Sequence, residues 1–165
     1  MDKVRIWVAV AAALALAAVA ASVAASVAFA ASSLFTASYT GRVTERVDGQ
    51  TVYAAANGTG TGNLVGRSSI RGSVVGNTSN PPCAPFGGPG SIKSAKGVLK
   101  LKILRSSSRG CGSEDNQTSI SISGNATAVG GTGKFRRAKG TVHFSGRYNR
   151  TAHTFTMKLR GRLTF

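Results

Sequence analysis

The chain has 165 residues, with 21 Lys and Arg against 5 Asp and Glu, for a formal net charge of +16. Setting aside a distinctive N-terminal stretch, that length supports one domain with a single core and excludes two. The cationic excess favours polyanionic partners such as envelope polymers, anionic lipid or nucleic acid, and it also keeps an exported protein soluble. Cys83 and Cys111 are the only cysteines, and no C-x-x-C or His/Cys cluster accompanies them. That spacing excludes a dithiol redox motif and a zinc site, so no metal and no cofactor is expected.

Residues 2 to 5 give a short positive start, and Ile6 to Ala31 is apolar or small throughout except for Ser22 and Ser26. This pattern predicts a secretory signal over residues 1–30, with Ala28 and Ala30 as the small residues around cleavage and a domain over 31–165. The run exceeds the roughly 7–15 residues of an ordinary signal core, so the alternative is an uncleaved helical anchor with the domain outside the membrane. The expected location is secreted, extracellular or cell-envelope. Export places both cysteines in an oxidising compartment, where one intramolecular bridge can form. Closing that loop stabilises the fold by roughly 3–4 kcal/mol.

Beyond Ala31 the apolar period is two, not 3.6. Arg42 to Val47 and Thr51 to Ala55 flank Asp48-Gly49, a pair suited to a tight hairpin turn. Leu64 to Ile70 and Arg71 to Val75 read as further strands, with bends or bulges at Gly66 and Gly72. Gly76 to Gly90 holds Pro81, Pro82, Pro85 and Pro89, which predicts a long irregular loop. Val98 to Leu104 alternates again, and Ser106 to Gln117 reads as a second loop carrying Cys111, Glu114 and Asp115, tied by the bridge to the first. Ser119 to Ser123 is strand-like. In the last segment Phe155, Met157, Leu159 and Leu163 alternate with Lys158, Arg160 and Arg162, giving one buried and one wet basic face. About eight strands without helices point to an all-β barrel or sandwich.

The run Val129-Gly130-Gly131-Thr132-Gly133-Lys134-Phe135-Arg136-Arg137-Ala138-Lys139-Gly140 resembles the G-G-T-G-x-F-x-x-A-x-G signature of the dirigent and allene oxide cyclase-like barrel superfamily, in particular its small exported bacterial-type members. The resemblance implies a single antiparallel β-barrel of calycin-like type. Plant members steer phenoxy-radical coupling or cyclise an unstable epoxide in the barrel cavity, and no catalytic position of theirs carries over to a residue here. In physical terms Gly130, Gly131 and Gly133 permit the reversal, Phe135 and Ala138 pack under it, and Gly140 relieves crowding where the next strand begins. The Walker spacing is absent, which argues against a phosphate cradle.

Glu45 shares a strand face with Val43 and Val47, so an inward face would place an isolated, desolvated carboxylate in a cavity, suited to acid/base work. Otherwise it lies on a wet hairpin or pairs with an arginine. Phe144 and Tyr148 share a phase and are candidate cavity or core residues. His143 falls on the outer face and His153 at the start of the last strand, with nothing in sequence to orient either ring. No G-x-S-x-G elbow is present. Lys134, Arg136, Arg137, Lys139, Arg147 and Arg150 make a basic surround for the glycine turn and are the candidate polyanion contacts. Stacking aromatics are too few for a single-strand nucleic-acid groove. Asn57, Asn77, Asn116, Asn125 and Asn149 stand in glycan-acceptor triplets. The expected function is a non-enzymatic barrel holding a small hydrophobic ligand; the alternatives are a charge-driven binder of envelope polyanions and a cyclase or isomerase working through Glu45.

Overall fold

The computed structural model describes residues 31–79, 81–112 and 118–165. The expected signal or anchor over residues 1–30, together with Glu114, Asp115 and Asn116, lies outside the described residues. The strands are β1 (Ser33–Asp48), β2 (Thr51–Gly62), β3 (Gly66–Asn77), β4 (Cys83–Ser94), β5 (Gly97–Ile103), β6 (Arg109–Cys111), β7 (Ser119–Gly131), β8 (Lys139–Asn149) and β9 (Thr154–Thr164). All pairings are antiparallel, in the order β3-β2-β1-β9-β8-β7-β5-β4, and β3 pairs with β4 to close the sheet. A short 3₁₀ turn, Arg105–Ser107, separates β5 from β6, and both pair with β4 and β7. They therefore occupy one position in a closed eight-strand barrel.

The expected hairpin is present: Asp48 pairs with Thr51, and Gly49 sits at φ 58. Gly66 and Gly72 do not divide two strands. β3 runs through Gly72 in unbroken register with β2, and Gly66, at φ 69, instead closes the turn before it. The predicted loop over Gly76 to Gly90 is mostly strand, because its prolines fall where no ladder bond is missed. The β3–β4 ladder lapses between Gly72↔Gly90 and Val75↔Gly87, opposite Pro89, and it ends at Gly76↔Phe86, before Pro85. Ser106 to Gln117 likewise contains β6. Cys83 and Cys111 are bridged, and they are cross-strand partners in β4 and β6 rather than members of two loops.

The two ends of the barrel differ. At one end Phe35, Tyr39, Val65, Ile92, Leu99, Phe135, Val142 and Leu163 are buried in a packed core. The segment Thr132 to Ala138 folds across this end and is zipped to the β4–β5 hairpin. Thr132 N–H donates to Val98 O at 2.8 Å, Val98 N–H to Thr132 Oγ1 at 3.0 Å, and Lys134 N–H to Lys96 O at 2.9 Å. Gly133 is at φ 57, and a Cβ there would strike the Lys96 carbonyl, so glycine is required on two counts. Phe135 and Ala138 are fully buried beneath the turn. At the opposite end the inward positions hold Ala54, Ala56, Gly72, Gly76, Ala84 and Gly90, and the lumen is not filled.

Candidate functional site: the open half of the lumen

The unfilled half of the barrel is a cavity of about 710 Å³, within the range of small-molecule sites of roughly 300–1,000 Å³. Its wall is apolar: Val43 of β1, Ile70 and Val74 of β3, Phe86 of β4, Leu101 and Ile103 of β5, Ile120 and Ile122 of β7, Phe144 of β8, and Phe155, Met157 and Leu159 of β9. Each reaches the lumen by the two-residue alternation of its strand. Small residues account for the empty space in two ways. Gly58 makes room for a neighbour, since a Cβ there would lie 2.8 Å from the Phe155 ring. Gly72 leaves volume: a Cβ there meets nothing closer than the Pro89 carbonyl at 3.7 Å.

Polar groups gather at the mouth. Glu45 faces inward, its side chain 20% exposed, and Arg150 Nε stands 3.8 Å from its Oε1 with a side chain 46% exposed. At that distance and exposure the pair contributes about 0–1 kcal/mol. Tyr148, 9% exposed, hydrogen-bonds Glu45 and lies 3.3 Å from His153 Nδ1. His153 sits at φ 52 in the β8–β9 turn, just before β9 rather than at its start, and its backbone is pinned by Val43 N–H donating to its carbonyl at 2.9 Å. Sequence reasoning left this ring unoriented; Tyr148 orients it.

Burial first, then the charge of Glu45 and the hydrogen bond to it, push the Tyr148 phenol up to about 12, with Arg150 pulling the other way. Burial likewise raises Tyr39, offset in part by the hydroxyl contact with Ser68 at 2.8 Å. The folded state thus favours the protonated Tyr148 phenol. The stability this confers is whole below the ordinary phenol value of 10.0 and is lost as pH rises toward about 12. Urea midpoints measured across that window are expected to fall, and to fall less steeply in Tyr148→Phe. An unchanged slope would show that Tyr148 is not in this environment.

The other sequence candidates are dispersed. Phe144 is buried against Phe86, with ring centroids 6.0 Å apart. Lys134, Arg136 and Arg137 are exposed on the turn at the closed end, Lys139 opens β8 beside them, Arg147 lies near the far end of β8, and Arg150 stands at the mouth. Gly130 (φ 87) and Gly131 end β7, and Gly140 begins β8. His143 is exposed on the outer wall, its Nδ1 3.3 Å from Asn125 Oδ1. Among the described residues no group of three or more His, Cys, Asp or Glu is placed to hold a metal ion. Comparison of the chain with protein-family models, curated proteins and solved structures finds no match.

Proposed function

We propose that this protein is an exported, non-enzymatic barrel that takes a small hydrophobic molecule into the open half of its lumen. The observation that carries this reading is the cavity of about 710 Å³ with apolar walls and polar groups at its mouth. A ligand with an apolar body gains by leaving water, at roughly 25 cal/mol per Å² buried, and the lining is predominantly apolar, with Glu45, Tyr148 and Arg150 at the mouth for a polar end. The resemblance of residues 129–140 to the dirigent and allene oxide cyclase-like signature is compatible with this use of a barrel. The apolar run before Ser32 supports export, and the Cys83–Cys111 bridge fits an oxidising compartment.

A neutral fluorescent probe such as N-phenyl-1-naphthylamine is the suitable test, because the basic exterior does not attract it. Saturable binding is expected. Gly72→Phe, which sends a ring into vacant space, is expected to weaken it at least about tenfold, as filling an apolar site removes the area that binds. No saturable binding, or equal affinity in Gly72→Phe, would end the proposal.

Acid/base catalysis of a cyclisation or isomerisation is a second reading, favoured by the inward direction of Glu45 beside Tyr148. It is the weaker one. The carboxylate is already engaged by the Tyr148 hydroxyl and Arg150, and it stands at the wet mouth, where water competes for every proton transfer.

A further inference from the structure

The outer wall formed by β8, β9 and β1 carries one cation at each level of its height. In register order, Lys139 stands opposite Thr164; then come Arg162, Arg160 and Lys158 of β9 itself; then Arg147 opposite Thr156 and Arg42 opposite Thr154. All six are exposed or half-exposed along the wall. Successive levels are two residues apart, about 6.8 Å along a strand. Hydroxyl side chains flank the row: Thr141 and Ser145 on β8, Thr36 and Ser38 on β1. No carboxylate and no Phe, Tyr or Trp faces outward on these three strands at the levels of the row.

We propose that this wall is a binding site for a linear polyol-phosphate polymer, laid lengthwise along β9, whatever fills the lumen. Three features select that chemistry. A charge row without acids suits an unbranched polyanion, and the release of its counterions drives binding. Guanidinium groups with adjacent hydroxyls match the oxygens of a phosphodiester, two of which one guanidinium can engage together. The pitch of the row is comparable to that of an extended polymer with one phosphate per three-carbon unit. Single-stranded nucleic acid has a similar backbone, but this wall offers its bases one ring, His143 opposite Arg160, where a base-tracking groove needs a series of them. Uronic-acid polymers bring carboxylates on bulkier, stiffer units.

The test is the affinity of the full chain for poly(glycerol phosphate) over a range of salt, beside a sulfated glycan, a polyuronate and poly(U). Poly(glycerol phosphate) is expected to bind tightest. Replacing the β9 row, Lys158→Thr with Arg160→Thr and Arg162→Thr, is expected to weaken that binding at least about tenfold and to reduce the salt slope by about 2, near 0.7 for each phosphate left without its cation. Removing the same charge from the closed-end turn, Lys134→Ser with Arg136→Ser and Arg137→Ser, is expected to cost less than about threefold, since those groups stand off the row. Should the β9 triple fail to fold, Arg160→Thr alone is read in the same way, with a slope change of about 0.7. Equal losses in the two triples would reduce the wall to undirected charge and overturn the proposal. So would tighter binding of any of the other three polymers.

Discussion

Phe135→Ala is expected to destabilise the barrel by about 3–5 kcal/mol, the cost of removing a fully buried aromatic ring. Phe135 sits in a turn, yet it is fully buried and its ring centroid lies 5.9 Å from that of Phe165. The turn is held independently by Ala138 N–H donating to Phe135 O at 3.1 Å and by the bonds to Val98 and Lys96. The backbone therefore keeps its course in the variant while the core loses its stopper, and a void is left. In urea the midpoint should drop with little change in slope, since the surface exposed on unfolding is nearly the same. Arg136→Ala, exposed in the same turn, is expected to stay within about 0.5 kcal/mol. The open half of the lumen lies at the other end, so folded Phe135→Ala should still take up the neutral probe. A loss below about 1 kcal/mol, the size of an ordinary surface-to-intermediate substitution, would mean that the turn does not close the barrel.

That division of labour was partly legible in the residues. The alternation of β9 and the Asp48-Gly49 hairpin are local signals, and the fold uses them as read. Phe135 and Ala138 were expected to pack under the glycine turn, and both are fully buried there. The first half of β1 and the second half of β2 gave no such signal, because their large and small residues complement each other across strands. Gly58 and Gly60 look like loop residues until Phe155 and Tyr39 are placed against them: a Cβ at Gly60 would lie 2.7 Å from the Tyr39 ring. Strand β4 was hidden by prolines whose missing N–H groups coincide with gaps in the ladder. At the mouth, the phase of Glu45 identified one member of the cluster. Arg150 and His153 join it only because the β8–β9 turn returns the chain beside β1, a juxtaposition spanning roughly a hundred residues of sequence that no local pattern records. The cation row on the outer wall was similarly split. β9 displayed its own three, while Lys139, Arg147 and Arg42 take their levels from the register with β8 and β1.

Replacing the cysteines together, Cys83→Ser with Cys111→Ser, is expected to cost about 3–4 kcal/mol, and the loss should come chiefly from the unfolded chain. The bridge closes a sequence separation of 28 residues, and without it the denatured ensemble regains that loop's freedom. A denatured chain that expands exposes more surface, so the urea slope should rise as the midpoint falls. This pattern distinguishes the bridge from Phe135, whose loss leaves the slope alone. A native-state effect is also expected, and it is local. β6 has three residues, paired to β4 through Cys83↔Cys111, Ala84↔Gly110 and Pro85↔Arg109, with Gly112 N–H donating to Pro82 O at 3.0 Å beyond them. Gly110 and Gly112 line the cavity, so fraying of β6 opens its wall. Amide exchange should accelerate in Arg109–Cys111 and in the facing start of β7, where Arg109, Gly110 and Cys111 pair with Ser123, Ile122 and Ser121. Exchange at the closed end, around Leu99 and Phe135, should change only by the global loss of stability. Uniform acceleration throughout, with an unchanged urea slope, would show that the bridge acts neither on the denatured loop nor on the wall of the cavity.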